Sequence, residues 1–220
     1  MKVGFTKLST IDYPGKICSV IFMPHCNFKC GYCHNQNVVD GNVERNLADV
    51  LKELYQDQKI ISSVCISGGE PTLHPELATI AKDLKKQGFL VKLDTNGSNP
   101  HLLETILPYL DYVAMDIKGP LYKYSAIAKY DDTNKILRSI DLVKTFKDYE
   151  FRTTISPTYL FETDVLAIAN LLQGSKRYVL QGYKKARSDF NAEEPTKEWL
   201  QQLASIVKPY FTEVMIRGGK

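Results

Sequence analysis

From residue 17 to the C-terminus, short apolar runs alternate with stretches of 3.6-residue period, and this alternation constrains the fold more than any other feature of the chain. The runs predict strands at Cys18–Met23, Ile61–Ile66, Phe89–Asp94, Tyr112–Ile117, Phe151–Ile155, Tyr178–Gln181 and Glu213–Arg217. Between them Leu47, Val50, Leu51 and Leu54 make the face of a first helix with Asn46 placed to cap it, and Leu77, Ile80, Ala81 and Leu84 make a second, opened by Pro75 and closed by Gly88. A third carries Leu102, Leu103, Ile106 and Leu110. Ile136, Leu137, Ile140 and Val143 mark a fourth; Val165, Leu166, Ala169 and Leu172 mark a fifth after a cap at Thr163; Trp199, Leu200, Leu203 and Val207 mark the last after Thr196.

Strand–helix–strand repeats need long, right-handed crossovers and so imply a parallel sheet. Six clear units and a terminal strand fall short of the eight that close a full barrel, so the expected fold is α/β, a partial parallel (β/α)6 barrel open on one side. An open doubly wound sheet is the alternative. At 220 residues the chain is read as one domain, with a core over about 17–182 and a C-terminal helix and strand over 196–217. A net charge of +3 and the lack of a long basic run give no reason to expect nucleic acid or a membrane surface as partner.

The loop after the first predicted strand holds three cysteines in eight residues, Cys26, Cys30 and Cys33. Positions i, i+4 and i+7 could form the stripe of a buried helix, but Pro24, Asn27, Gly31 and Asn35 are turn residues and no other apolar residue continues the stripe. A zinc site with His25 or His34 as fourth ligand is a second reading, although structural zinc usually spaces its ligands as two separated pairs. Cys30-Gly31-Tyr32-Cys33-His34 also matches the pattern of covalent haem attachment, which needs an exported protein. The only early apolar run, Ile17 to Met23, is short and follows Asp12, Pro14 and Gly15, so neither a signal peptide nor a membrane span is read there, and the chain is expected in the cytoplasm. The fourth reading is an iron–sulfur cluster. A cubane offers four irons to thiolates, and three cysteines leave one iron without a protein ligand.

The other unusual residues gather at the carboxyl ends of the predicted strands, the rim at which parallel α/β folds bind ligands. Ser67-Gly68-Gly69-Glu70-Pro71-Thr72 follows the second strand, Asp94-Thr95-Asn96-Gly97 ends the third, Asp116 and Lys118 flank the end of the fourth, Arg152 lies on the fifth, and the sixth runs into Gln181-Gly182-Tyr183-Lys184. Taken singly these are ordinary: two glycines make a turn, and Asp116 with Lys118 makes an ion pair. Their joint occurrence on one rim points to a site. Cys18 and Cys65, on strands, read as core thiols.

The cysteine triplet followed by Gly68-Gly69-Glu70 resembles the radical S-adenosylmethionine enzymes. Ser9-Thr10-Ile11-Asp12-Tyr13-Pro14-Gly15, Tyr32-Cys33-His34-Asn35 and Asp94-Thr95-Asn96-Gly97 resemble, more closely, the glycyl-radical-enzyme activases, and the wording from Lys7 to Asn35 is most similar to the anaerobic ribonucleoside-triphosphate reductase activating proteins. The resemblance implies a [4Fe–4S] cluster on Cys26, Cys30 and Cys33 whose fourth iron chelates S-adenosylmethionine. It implies that Gly68, Gly69 and Glu70 meet the methionyl amino group, that Tyr32 neighbours the adenine, and that Asp94, Asn96, Asp116, Lys118 and Arg152 line the rest of the cofactor. Thr95 and Asp94 are also candidates to hold a monovalent cation near Asp116. The implied reaction is reductive cleavage of the sulfonium to methionine and a 5′-deoxyadenosyl radical, which removes hydrogen from a glycine Cα of a partner enzyme. Flavodoxin or ferredoxin is the implied electron donor. Another glycyl radical enzyme of the pyruvate formate-lyase kind, or a small molecule, is the alternative substrate. The sixth strand lacks the histidine that some pyruvate formate-lyase activases carry there, which argues against that target.

Overall fold

The computed structural model describes residues 1–185 and 191–220. Two compact units divide the chain, the first comprising 1–27, 35–114 and 146–148 and the second 28–34, 115–145 and 149–220. The first unit opens with a long strand, β1 (Lys2–Tyr13), which turns through Pro14 and Gly15 into β2 (Lys16–Met23). These two run antiparallel, Gly4 opposite Phe22 and Tyr13 opposite Lys16, with register breaks between them. The single turn α1 (Gln36–Val39) and the two-residue β3 (Arg45–Asn46) lead to α2 (Leu47–Gln56), whose N-terminus is capped as expected: the Asn46 side chain accepts from the Ala48 amide. Then come β4 (Ser63–Gly68), α3 (Leu77–Lys86), β5 (Leu90–Thr95), α4 (Pro100–Ile106) and β6 (Tyr112–Asp116). β4 is parallel to both β2 and β5, with Val20 beside Cys65 and Cys65 beside Lys92.

Packing follows the predicted faces. Leu77, Ile80, Ala81 and Leu84 of α3 are all buried, the two leucines and the isoleucine each contributing about 1.5–3 kcal/mol of apolar burial. Tyr13, Cys18, Val20, Cys65, Tyr112 and Ala114 form a core cluster of this unit, with the Tyr13 and Tyr112 rings 6.1 Å apart. Cys18 and Cys65 are buried thiols, as the strand pattern implied.

The second unit carries α5 (Tyr124–Ala128), α6 (Thr133–Lys144), β7 (Tyr149–Ile155), α7 (Glu162–Leu171), β8 (Arg177–Gly182), α8 (Lys197–Val207) and β9 (Glu213–Arg217). β7, β8 and β9 are parallel, Arg152 beside Val179 and Val179 beside Met215. Thr196 caps α8 by accepting from the Trp199 amide. Thr163 does not cap α7, which starts one residue earlier; Asp164 accepts from the Phe161 amide at 2.8 Å and does the capping from inside the first turn.

Among the described residues the strands follow the order β3-β1-β2-β4-β5-β6-β7-β8-β9. The expected crossover units are present. The difference lies at the N-terminus, where the segment read as preceding the first strand is itself a strand, and it joins the sheet antiparallel to β2 and β3. Its pattern hid it: Leu8 and Ile11 are exposed apolar residues, so no apolar-in, polar-out alternation marks it. Among the described residues, no helix is long and apolar enough to cross a membrane.

Candidate active site

In the first unit the start of the cysteine loop, residues 24–27, is seated on the carboxyl end of β4 by its backbone. The Gly69 amide donates to Met23 O at 2.8 Å and the Glu70 amide to His25 O at 2.8 Å. Neither glycine tolerates a side chain: a Cβ at Gly68 would lie 2.4 Å from Met23 O, and one at Gly69 would overlap His25 O. Gly68 also has a φ of +117°, a conformation that glycine adopts without penalty. His74 Nε2–H donates to Pro24 O at 2.7 Å from the other side of the loop, and Asn35 Nδ2 donates to Gly68 O at 3.2 Å. The pair of glycines is therefore more than a strand-to-helix turn, because it lets two backbones touch.

Glu70 is wholly buried beneath this loop. Its Oε1 accepts from the Thr72 amide at 3.0 Å, from the Thr72 hydroxyl and from the Thr95 hydroxyl at 2.7 Å, and its Oε2 accepts from the Asn96 amide at 2.6 Å. Four donors use nearly all the lone pairs of one carboxylate and tie the ends of β4 and β5 together. Asn96 is then held at its side chain as well: the Ser98 amide donates to Asn96 Oδ1 at 2.9 Å, while Asn96 Nδ2 donates to Asn27 Oδ1 at 3.1 Å and to Cys26 Sγ at 3.7 Å. Asp94 pairs with the buried Lys92 ammonium and accepts from the Ser67 hydroxyl at 3.1 Å. The Lys92 ammonium also reaches Cys65 Sγ at 3.6 Å. Lys92 and Ser98 were not among the residues singled out in the sequence, and Thr72 and Asn27 were read there only as parts of turns. A lysine inside an apolar strand, paired with an aspartate two residues on along the same face, is the signal that could have found the first of them.

In the second unit Asp116 takes two cations. Arg152 Nε donates to Asp116 Oδ1 at 2.7 Å and Lys118 Nζ to Asp116 Oδ2 at 3.0 Å. Burial alone would raise the Asp116 carboxyl, but the Arg152 guanidinium and the Lys118 ammonium hold it well below the usual carboxylate range. The Lys118 amide donates to the Tyr124 hydroxyl at 3.3 Å. Tyr32 is 8% exposed and its hydroxyl has no hydrogen-bond partner among the described residues, an orphan polar atom of the kind that a bound group completes. Its ring lies 6.2 Å from that of Tyr159.

The thiols divide into two classes. Cys18 and Cys65 are buried, whereas Cys26, Cys30 and Cys33 are part-exposed, and all five are free of disulfides. Cys33 closes a turn on Cys30, its amide donating to Cys30 O at 3.2 Å. Among the described residues no three His, Cys, Asp or Glu side chains converge as a single-ion centre requires. A cubane presents one iron to each thiolate, a different demand from three side chains on one ion. Unbridged thiols are the donor type that such a cluster takes, and Cys26 already receives an N–H from Asn96.

Residues 20–172 match the model of the radical SAM superfamily. Over 97% of its length the chain is 36% identical to a Methanocaldococcus jannaschii protein named as a glycyl-radical enzyme activating enzyme, covering 94% of that protein. It is also 36% identical to the pyruvate formate-lyase-activating enzyme of Clostridium pasteurianum over about half of each chain, 50% and 49%. In three dimensions SuiB of Streptococcus suis superimposes with a TM-score of 0.72 at 14% identity, covering 90% of this chain and 49% of SuiB, a likeness of fold. The chain belongs to the radical SAM superfamily and, within it, to the glycyl-radical-enzyme activating enzymes.

Proposed function

We propose that this enzyme installs the glycyl radical of an anaerobic ribonucleoside-triphosphate reductase, with Cys26, Cys30 and Cys33 as the three protein ligands of its cluster. The family uses a [4Fe–4S] cluster and S-adenosylmethionine. When bound, they supply an electron and a 5′-deoxyadenosyl radical that takes hydrogen from a glycine Cα. The observation that carries the ligand assignment is the contrast in thiol state: the three closely spaced cysteines are accessible and unbridged, and the two on strands are buried. The choice of reductase over pyruvate formate-lyase is supported by the wording from Lys7 to Asn35 and by Gln181 at the end of β8 in place of histidine.

The remaining roles follow from what each side chain touches. Gly68 and Gly69 offer backbone to the methionyl amino group, and Glu70 braces that backbone through Thr72, Thr95 and Asn96. Tyr32 presents a buried ring and a free hydroxyl to the adenine side. Lys118 and Arg152, neutralised in part by Asp116, leave a net positive charge for a carboxylate. Asp94, fixed by Lys92 and Ser67, faces the ribose. A low-potential carrier such as flavodoxin or ferredoxin delivers the electron, and the setting is the anaerobic cytoplasm.

The test is anaerobic reconstitution, then dithionite and S-adenosylmethionine with an anaerobic ribonucleotide reductase or with a pyruvate formate-lyase. A glycyl radical doublet in the electron paramagnetic resonance spectrum of the reductase alone supports the target. A doublet on the lyase alone transfers the assignment to it, and 5′-deoxyadenosine without either doublet moves it to a small molecule.

A further inference from the structure

Asn96 lies outside any direct need of the backbone. Its amide N–H is taken by Glu70 Oε2, and Ser98, Thr95 and Gly97 shape the turn around it, Gly97 N donating to Thr95 Oγ1 at 3.1 Å. What remains is the carboxamide, and its orientation is determined: Oδ1 accepts from the Ser98 amide at 2.9 Å, so the NH2 end must face the other way. There it meets Cys26 Sγ at 3.7 Å and Asn27 Oδ1 at 3.1 Å. Asn96 is 5% exposed, so little water competes for these protons, and Asn27 Oδ1 is pinned in turn by the Ser98 hydroxyl at 3.2 Å.

We infer that Asn96 sets the reduction potential of the cluster by donating an N–H to the sulfur of Cys26. This rests on the reading of Cys26 as a cluster ligand. The physical reason is charge. Reduction adds an electron to a cluster whose negative charge is spread over its sulfurs, and a donor aimed at a ligand sulfur stabilises the reduced form more than the oxidised one, raising the potential. Asn96 is a positioning and tuning residue, acting on the metal through Cys26. Its own position is set by Glu70, so the buried carboxylate, the carboxamide and the thiolate form one relay from the end of β4 to the cysteine loop.

The experiment is a redox titration of the reconstituted protein without S-adenosylmethionine, following the reduced-cluster signal, for wild type, Asn96→Ala and Asn96→Asp. Iron and sulfide are measured on each sample first. Both variants are expected to hold a full cluster and to need a more negative potential. The ratio of reduced to oxidised cluster at a fixed potential should fall about tenfold for Ala, which is a shift of about 59 mV for a one-electron couple, and further for Asp, which places an acceptor where the donor was. Full clusters with unchanged potentials in both variants overturn the inference and leave the ligand assignment standing; a wild-type protein that takes up no cluster overturns the ligand assignment itself. Should either variant fail to hold a cluster, the wild-type protein grown with side-chain 15N asparagine decides. Nitrogen coupling to the reduced cluster in pulsed resonance spectra supports the contact, and no coupling refutes it.

Discussion

The backbone of Gly69 lies against the carbonyl of His25, so close that a Cβ on Gly69 would sit 1.8 Å from that oxygen. His25 itself has a φ of 63°, in the left-handed region a non-glycine residue rarely enters, and its carbonyl is held there by the Glu70 amide. Backbone has little room to give, so Gly69→Ala must lift the loop that leads into Cys26. A loss of about 3 kcal/mol is expected, the upper part of the range for overpacking. Gly174→Ala is the control: it has a φ of +81° but open space around it, and strain alone should cost about 1–2 kcal/mol. Urea unfolding of the two variants checks this. Gly69 has no positive φ to strain, so a loss within about 0.5 kcal/mol of zero in Gly69→Ala would mean that close approach to His25 contributes nothing.

Of the five cysteines, three should matter to iron and two should not. Cys30→Ala is expected to reduce iron from about four per chain to a small fraction of that and to abolish 5′-deoxyadenosine. Cys65→Ala, which trims a buried thiol, should keep full iron at a stability loss of about 1 kcal/mol. Iron analysis with parallel denaturation of both variants separates the classes. Full iron in Cys30→Ala would remove it from the ligand set.

The helices were legible because each buries one face at a fixed period, as the α3 face of Leu77, Ile80, Ala81 and Leu84 shows, and the central strands because burial on both faces leaves a continuous apolar run. β1 was missed because exposed Leu8 and Ile11 carry no burial signal and because its partners are set by the Tyr13-Pro14-Gly15-Lys16 turn, not by a crossover. In the site, residue types were visible but not their partners. Asp116 and Lys118 read as a pair from their spacing alone, yet Arg152, which completes the arrangement, comes from a strand 36 positions away. Likewise nothing in the sequence says that Glu70 faces inward to four donors.

Those four donors make Glu70→Gln informative. The substitution keeps the shape and replaces one acceptor by an NH2 group. Placed at Oε1 it opposes the Thr72 amide, and placed at Oε2 it opposes the Asn96 amide, so neither orientation satisfies the site. The expected loss is about 1.5–3 kcal/mol, the value of a hydrogen bond to a charged group. Thr95→Ala removes one donor to Glu70 together with an acceptor of the Gly97 amide and should lose about 1–2 kcal/mol. Thermal unfolding of the apo protein measures both. A neutral Glu70→Gln would show that the carboxylate is not needed ionised.

The Asp116 cluster gives a dependence on pH whose sign can be worked out. Its carboxyl titrates lower in the folded protein than in the unfolded chain, because Arg152 and Lys118 stabilise the charged form more than burial disfavours it. The stabilisation is therefore fully present above the unfolded value, about pH 4, and is lost as pH falls from there towards the folded value. Asp116→Asn leaves two part-buried cations facing an amide and should lose about 3 kcal/mol at pH 7, the lower end for removing one partner of a buried pair. The difference between wild type and Asp116→Asn should hold steady from pH 7 to pH 5 and shrink progressively below pH 4. Denaturant unfolding of both proteins across that range tests it, and a gap that stays constant down to pH 3 would mean that Asp116 is not held ionised by its two cations.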